Sequence, residues 1–365
     1  MRINLYASEM SVEDASRAAS MLQGSHFERG ELVAKFEHEL SLYTKGKVVA
    51  VSSGTAALHL ALRAFHLPRG SEVLTSAISF IATTNVILLE GLVPVFGRVT
   101  KDLQLDLDNA ARLIEQHRSI KAIIVPHIYG LFPKYGQLAA IKRRFPEIKI
   151  LEDCAQAFPY EPSTQHIAEE SDAAILSFHE NKPVTTFGEG GAVVTRDKAL
   201  FNCVLAEHEH GRSAERNWLD HTILGFNYRM TEIQAAAGIV ELQHLQEIMQ
   251  RRSHLADQYE SAFTSSKAVC LLPKTSENRS WFGYYILFHQ SCQAHAAHEA
   301  LNDQGIQTRC SPMPPIYCFH HIRQTKHITC DENSSQIITR VLAIPFRSNL
   351  PAYLPRAIGR ILERI

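Results

Sequence analysis

The sequence has no excess of charge of either sign. Its 365 residues include 37 Lys and Arg against 38 Asp and Glu, which gives a formal net charge of −1. A chain that binds nucleic acid would show a basic excess or patch, so no nucleic-acid partner is expected. Hydrophobic residues make up 45% and charged residues 21%. This balance excludes a disordered polar chain and supplies enough apolar surface for a sizeable core.

Paired cysteines and targeting segments are also missing. The seven cysteines are scattered, without a CxxC pair, which is typical of free thiols in a reducing compartment. MRINLYASEM lacks the layout of a signal peptide, and no stretch approaches the ~18 apolar residues of a membrane-spanning helix. His208 and His210 have no evident third ligand, so no metal site is predicted. We expect a cytoplasmic protein without a membrane partner.

Short β-rich runs alternate with helical stretches from about residue 47 to residue 195. The strand candidates are KVVAVSS, SEVLTSAIS, VPVFGRV, IKAIIVPHIYG, EIKILEDCA, DAAILSFH and GAVVTR. Continuous apolar runs suit strands covered on both faces, so the pattern predicts an open, mostly parallel α/β sheet. Segment 230–263 has few helix breakers and predicts a long bridging helix. We expect a large α/β domain over residues 1–245 and a smaller α+β domain over 246–365.

The sequence SSGT, between a predicted strand and a predicted helix, is a first candidate binding element. The unpaired N–H groups of a helix N-terminus, together with the hydroxyl of Ser53 or Thr55, can meet an anion there. Alternatively, Ser53 or Thr55 only caps the helix, which is the commoner role of such residues. By itself the element leaves both interpretations open.

Two other predicted strands end in charged side chains. Glu152 and Asp153 follow the apolar run IKIL, where ligands of open α/β sheets gather, and either can meet a cationic ring nitrogen or cap a helix. Lys182 follows AAILSFH and precedes Pro183 and a glycine run, although most lysines are solvated surface charges. Together, an anion cradle, a carboxylate and a lysine match the phosphate, ring nitrogen and aldehyde of pyridoxal 5′-phosphate.

Four linked motifs follow one another along the chain: FEHELSLYTKGKVVAVSSGTAALHLAL, EDCAQAF, SFHENKPVTTFGEGGAVVT and GFNYRMTEIQAA. With them the chain resembles the DegT/StrS family of sugar-nucleotide aminotransferases, which belong to fold type I of the pyridoxal-phosphate enzymes. The resemblance runs from INLYASEM to about GIQTRCSPMPPIY, which is most of the chain. It implies a large domain with a mostly parallel sheet covered by helices, and a smaller C-terminal α+β domain.

The resemblance also implies roles for residues at matching positions. Lys182 falls where family members form the Schiff base and move protons, and Asp153 where the pyridine nitrogen is met. The residues that fall at the phosphate are Gly54, Thr55, Ala56 and Ser177. Phe80 falls where an aromatic ring stacks on the cofactor, and Gln156 where the ring hydroxyl is approached. Asn227 matches a residue that reaches the phosphate from the neighbouring subunit, which implies a homodimer with shared active sites.

Several of these residues have ordinary alternative roles. Without the resemblance, Phe80 would be interpreted as a core residue and Asn227 as a turn residue. His179 either faces the substrate or supports the lysine loop. Arg229 and Arg309 either grip a diphosphate or the carboxylate of the amino donor, or form ordinary salt bridges.

The chain departs from the commonest family pattern in four places. The interval from Lys182 to the first glycine of GEGG is one residue longer, and Pro183 stands where asparagine often follows the lysine. HFERG replaces a Thr-x-Gly element near the N-terminus, and Tyr317 stands where a histidine is often found. The last two differences concern the identity of the substrate and do not affect cofactor use.

The resemblance predicts a transaminase that moves an amino group from an amino acid, L-glutamate by resemblance, to a nucleotide-linked keto-deoxysugar for amino-sugar or polysaccharide biosynthesis. GIQTR is similar to enzymes that aminate C4, which favours C4 over C3. Family members that dehydrate or deoxygenate sugars carry histidine in place of the lysine, so Lys182 argues against that alternative. A non-catalytic regulator that only binds the cofactor would be expected to lose Lys182 or Asp153, and both are present.

Overall fold

A computed structural model of the protein describes residues 2–24, 30–158, 167–212, 220–270, 279–331 and 333–365. The strands are β1 (Lys47–Val51), β2 (Glu72–Ser76), β3 (Val93–Gly97), β4 (Ile120–Pro126), β5 (Lys149–Asp153), β6 (Ala173–Ser177), β7 (Gly191–Thr195), β8 (Val269–Cys270), β9 (Tyr284–Phe288), β10 (Arg309–Cys310), β11 (Ile328–Cys330) and β12 (Val341–Ile344). The helices are α1 (Val12–Ser20), α2 (Glu31–Thr44), α3 (Gly54–Arg63), α4 (Ile81–Leu89), α5 (Leu107–Gln116), α6 (Gln137–Arg144), α7 (Lys198–Glu207), α8 (Glu232–Phe263), α9 (Ser291–Asp303), α10 (His320–Arg323), α11 (Ser334–Ile338) and α12 (Leu354–Leu362).

The larger sheet has eight strands in the order β1-β7-β6-β5-β4-β2-β3-β11. Neighbouring strands from β6 to β11 run parallel, whereas β7 is antiparallel to both β1 and β6. Each strand candidate between residues 47 and 195 contains one of these strands. The prediction of a mostly parallel α/β sheet is therefore confirmed.

Helices cover both faces of this sheet, because successive residues of a buried strand point to opposite sides. In β4, Ile123 packs in a cluster with residues of α5 and α6. Its neighbour Ile124 packs in a different cluster with residues of α3 and α4. The strands are apolar on both faces for this reason, as the continuous runs in the sequence predicted.

The long helix α8 joins the large sheet to a second, smaller sheet. It begins at a capping box formed by Thr231 and Gln234 and runs through most of the predicted segment 230–263. The smaller sheet is antiparallel, in the order β10-β12-β9-β8, and α9 packs against it.

The smaller sheet lies within the range predicted for a C-terminal α+β domain. The three-residue strand β11 also lies between residues 246 and 365, but it does not join the smaller sheet. It pairs with β3 at the edge of the large sheet. The division of the chain at residue 245, within α8, stays a prediction. Among the described residues, no helix is both long enough and apolar enough to cross a membrane.

Candidate active site

An open cavity of about 400 Å³ lies where strands β4, β5 and β6 end. Cavities of this size accommodate small molecules and cofactors. Ten of the residues singled out from the sequence line it: Ser53, Gly54, Thr55, Phe80, Asp153, Gln156, Ser177, His179, Lys182 and Arg309. The fold therefore brings together side chains that lie up to about 250 positions apart, as the rule for the carboxyl ends of parallel strands predicts.

Close packing of three chain segments builds the candidate anion cradle. A Cβ atom on Gly54 would lie 2.8 Å from Cβ of Ser177, and one on Gly191 would lie 2.4 Å from the carbonyl oxygen of Ser53. Glycine at these two positions therefore lets β6 and β7 approach the start of α3. The Ser177 hydroxyl, the exposed Thr55 and the first amide groups of α3 share one site that suits an anion.

Within SSGT, the structure shows which residue caps the helix. The side-chain oxygen of Ser53 accepts a hydrogen bond from the amide of Ala56 at 3.1 Å, which makes Ser53 the N-cap of α3. Ser53 and Thr55 both line the cavity. Ala56 is buried and does not line the cavity, so its predicted phosphate contact stays a prediction.

Lys182 lies in a loop between β6 and β7 that backbone hydrogen bonds close. The amide of Phe178 donates to the carbonyl of Gly190 at 2.8 Å, and the amide of Glu180 donates to the carbonyl of Gly188 at 3.1 Å. Gly188 turns the chain with φ of 116°, a backbone conformation that favours glycine. The longer interval between Lys182 and the first glycine of GEGG is thus part of an ordered extension of the β6–β7 pairing.

Lys182 is half-buried, and its amine lies against an aromatic ring at the cavity. Its Nζ lies 4.2 Å from the centre of the Phe282 ring. Burial lowers the pKa of Lys182 to about 8, and the charge of Arg252 acts in the same direction, whereas Asp153 and Glu189 oppose it. The neutral amine is therefore much more accessible than in a solvated lysine, which suits a nucleophile and a general base.

Asp153 is the last residue of β5 and is buried. Its Oδ2 accepts a hydrogen bond from the Thr83 hydroxyl at 2.8 Å, and its Oδ1 accepts one from the amide of Ala155 at 3.1 Å. Burial raises the pKa of Asp153, and these two hydrogen bonds oppose the rise because they favour the carboxylate. A protonated ring nitrogen would supply the positive partner that such a buried carboxylate favours.

The neighbouring carboxylate, Glu152, has a structural role. It accepts hydrogen bonds from the Ser171 hydroxyl at 2.6 Å and the Ala168 amide at 2.9 Å, and its Oε2 lies 3.1 Å from Nε2 of His127. Burial would raise the pKa of Glu152, but these partners outweigh burial and the pKa is lowered. Of the two acidic residues at the end of β5, only Asp153 lines the cavity.

Two further cavity residues are oriented by hydrogen-bond partners, and a third, Phe80, is exposed. The Gln156 side-chain oxygen accepts a hydrogen bond from the amide of Tyr129 at 2.9 Å. His179 Nδ1 lies 3.1 Å from the side-chain oxygen of Asn181, inside the lysine loop. Phe80 precedes α4 and has 66% of its surface exposed, so its ring is free to stack on a flat ligand.

Besides Ala56, two of the predicted residues do not line this cavity. Asn227 pairs with Glu209 in an isolated β-bridge, and Arg229 pairs in the same way with Val51 at the end of β1. Their predicted roles, with Asn227 acting from a neighbouring subunit, stay predictions.

Sequence reasoning missed cavity residues that come from distant segments. Tyr6, from the N-terminal segment, and Phe282, from the segment before β9, both line the cavity. Thr83 supports Asp153 from within α4. A threonine in an apolar helix and a phenylalanine near a strand carry no local chemical signal, so only the fold reveals them.

The fold and the cavity together define an α/β enzyme of the fold type I class, with a lysine, a carboxylate and an anion cradle at one site. The family model of the DegT/DnrJ/EryC1/StrS aminotransferase family matches residues 8–358. The chain therefore belongs to this family, and its chemistry is the transfer of amino groups.

Individual relatives agree with the family assignment. GDP-perosamine synthase of Escherichia coli O157:H7 is 31% identical over 294 residues, which cover 80% of this chain and 78% of the relative. The pleiotropic regulatory protein of Geobacillus stearothermophilus is 31% identical over 294 residues, which cover 79% of this chain and 76% of the relative. Among solved structures, Helicobacter pylori PseC, an aminotransferase involved in the biosynthesis of pseudoaminic acid, superimposes with a TM-score of 0.91 at 25% identity, covering 100% of this chain and 99% of that chain.

Proposed function

We propose that the protein uses pyridoxal 5′-phosphate to move an amino group from an amino acid, L-glutamate by family resemblance, to C4 of a nucleotide-linked keto-deoxysugar. The observation that carries the proposal is that Lys182, Asp153 and the anion cradle line one cavity. GDP-perosamine synthase, a relative of this chain, is named for a nucleotide-linked amino sugar, which supports the class of substrate.

The residues of the cavity fit this cofactor. Thr55, Ser177 and the start of α3 would hold the phosphate, where the close approach at Gly54 and Gly191 leaves no room for a Cβ. Asp153 would face the ring nitrogen, and the exposed ring of Phe80 would cover one face. When bound, the cofactor supplies an electron sink for charge that develops at the reacting carbon.

Lys182 has two tasks in this proposal. Its amine, with a pKa lowered to about 8, would first hold the cofactor covalently. Once an amino donor displaces it, the free amine would take a proton from the substrate carbon and deliver it to the carbon of the cofactor that carried the aldehyde. Asp153 would stay ionised as the partner of the ring nitrogen, with Thr83 and the Ala155 amide holding it in place.

The proposal includes a homodimer with shared sites. Ile223 and Leu224, just before the loop that carries Asn227, have 42% and 71% of their surface exposed. Neighbouring exposed apolar side chains of this kind favour a protein partner. A second copy of the chain would bring Asn227 to the phosphate of its partner. We also propose a cytoplasmic location, in keeping with seven unpaired cysteines.

Absorbance spectra of purified protein test the proposal directly. Protein loaded with the cofactor should show a band at the edge of the visible range, L-glutamate should bleach it, and Lys182→Ala should lack it. Lys35→Ala, which changes an exposed lysine on α2, is the matched control and should behave like the parent. A band that persists in Lys182→Ala with unchanged turnover would refute the role of the lysine.

Turnover separates the transaminase from a regulator that only binds the cofactor. One relative is named as a regulatory protein, and such a protein would show the band without transferring nitrogen. A panel of nucleotide-linked ketosugars is incubated with L-glutamate and read by mass spectrometry. Amination of one of them supports the proposal, and fragmentation of the product distinguishes C4 from C3. Absence of an aminated product across the panel, in protein that shows the band, favours the regulator.

A further inference from the structure

A buried arginine on α8 lies just behind the ring that faces the reactive lysine. Arg252 has 2% of its surface exposed. Its Nη1 donates hydrogen bonds to the carbonyl oxygens of Trp281 and Phe282, each at 2.9 Å. Its Nε and Nη2 donate to one oxygen of Glu9, and the other oxygen of Glu9 accepts from Ser348. Because a planar guanidinium binds through a rigid fork of donors, these contacts fix the orientation of Arg252.

The segment that Arg252 grips carries the ring next to Lys182. Phe282 is buried and lines the cavity, and its ring centre lies 4.2 Å from Nζ of Lys182. The same segment is pinned once more, at Ser280, whose amide donates to the carbonyl of Gly130 at 2.7 Å. Without Arg252, the carbonyls of Trp281 and Phe282 would lose a buried donor, and buried carbonyls must find another partner or turn. The ring would then shift.

We infer that Arg252 is a positioning residue that orients the amine of Lys182 through the ring of Phe282. Lysine carries its amine on a flexible four-carbon stem, and a covalent step requires the amine to stay in line with its target. The aromatic face restricts Nζ from one side and attracts it while it is charged. Arg252 sets where that face lies, although it does not contact the cavity itself.

A different role for Arg252 is purely structural. Arg252 and Glu9 form a buried ion pair between α8 and the N-terminal segment, and breaking such a pair destabilises a fold wherever it lies. The two roles differ in their consequences for Lys182. A structural role changes stability alone, whereas positioning changes the reactivity of the amine and does so only while the Phe282 ring is present.

The test follows the amine of Lys182 in cofactor-free protein, with pyridoxal 5′-phosphate as the probe. The rate constant for appearance of the absorbance band is measured as a function of pH. At pH values above the pKa of Lys182 the amine is neutral, and the rate constant reaches a plateau that reports how well this amine is placed. The variants are Arg252→Lys, Phe282→Leu and the two combined. Arg251→Lys is the matched control, because Arg251 is an exposed neighbour on α8 that pairs with Glu247.

Positioning predicts a specific pattern of rates. Arg252→Lys and Phe282→Leu should each lower the plateau rate about three-fold or more, because a neutral amine that is no longer held in line with its target reacts more slowly. The double variant should be no slower than Phe282→Leu alone, because the arginine acts through the ring. Arg251→Lys should be unchanged. Equal plateau rates for Arg252→Lys and Arg251→Lys, or losses that multiply in the double variant, would overturn the inference.

Glu9→Gln separates positioning from stability. It weakens the ion pair but leaves Arg252 able to hold the carbonyls of Trp281 and Phe282, so the melting temperature should fall while the plateau rate stays within about two-fold of the parent. A rate loss in Glu9→Gln as large as in Arg252→Lys would favour a structural role. If circular dichroism shows that Arg252→Lys is unfolded, a double variant that carries Glu9→Gln and Arg252→Gln replaces it, because this variant removes both charges of the ion pair. The plateau rate expected for this double variant is the one given above for Arg252→Lys.

This inference rests on the proposed role of Lys182, and the two can fail separately. If Lys182→Ala still forms the band, the proposed function fails. If Lys182→Ala loses the band while Arg252→Lys keeps the parent rate, the function stands and the positioning role fails.

Discussion

Glu241 offers a sharp test of the electrostatics beneath the lysine loop. It lies on α8 with 3% of its surface exposed, and its Oε2 accepts a hydrogen bond from the amide of Thr185 at 3.4 Å. Burial raises the pKa of Glu241 from 4.5 to about 7, and the carboxylates of Asp14 and Glu9 act in the same direction, whereas the Thr185 amide and Arg252 oppose it. Glu241→Gln keeps an acceptor for Thr185 and removes the charge.

The size and sign of the effect follow from that pKa. The folded protein binds the proton more tightly than the unfolded chain, so the contribution of Glu241 to stability is fully present below pH 4.5 and is lost as the pH rises through about 7. One pKa unit corresponds to about 1.4 kcal/mol. Relative to its value below pH 4.5, the contribution of Glu241 to the free energy of unfolding is therefore lower by about 3 kcal/mol at pH 8 and by about 1.4 kcal/mol at pH 5.5. Relative to the parent, Glu241→Gln should therefore gain about 2 kcal/mol between these two pH values.

Thermal unfolding of parent and variant across this pH range measures the difference. The unfolding entropy is about 2.1 cal/mol/K per residue. The difference in melting temperature between Glu241→Gln and the parent should therefore be about 3 °C more favourable to the variant at pH 8 than at pH 5.5. Glu247→Gln, an exposed change on the same helix, should show almost no dependence of this kind. A difference between Glu241→Gln and the parent that is flat with pH, or that shrinks as the pH rises, would refute the reasoning.

Two further predictions concern the cradle and the second subunit. Gly191→Ala places a Cβ 2.4 Å from the carbonyl oxygen of Ser53. Absorbance titration should therefore show cofactor binding weakened about ten-fold or more. The control is Gly24→Ala, whose Cβ meets no atom within 4 Å, and it should leave binding unchanged. If Asn227 completes the partner's site, equal mixtures of inactive Lys182→Ala and Asn227→Ala should recover about a quarter of parent activity after subunit exchange, because half of the dimers are mixed and each has one intact site. No recovery in mixtures shown to exchange subunits would contradict shared sites.

The sequence predicted those parts of the site that rest on local pattern. Asp153 and Ser177 each end an apolar strand, and parallel strands bring their carboxyl ends to one edge of the sheet. Gly188 carries a positive φ of 116°, and Gly191 meets the chain at Ser53. A run of glycines such as the one after Lys182 is typical of turns and close approaches of this kind, because no other residue type tolerates both.

The parts that the sequence did not predict depend on long-range packing. Thr83 bonds to Asp153 across about 70 positions, and Phe282 meets Lys182 across about 100. Thr83 lies beside Thr84 in α4 and Phe282 lies beside Trp281, so neither residue stands out from its neighbours and no spacing rule selects it. The short strand β11 is also invisible to periodicity, since three residues are too few to show alternation.

The long helix α8 explains why the lysine loop can be longer than usual and still hold its amine in place. Glu241 and Arg252 lie about three helical turns apart, so they point to the same side of α8. One binds the Thr185 amide within the lysine loop, and the other binds the carbonyl of the residue whose ring faces the amine. A single rigid element therefore fixes both the backbone that carries Lys182 and the surface against which its Nζ lies.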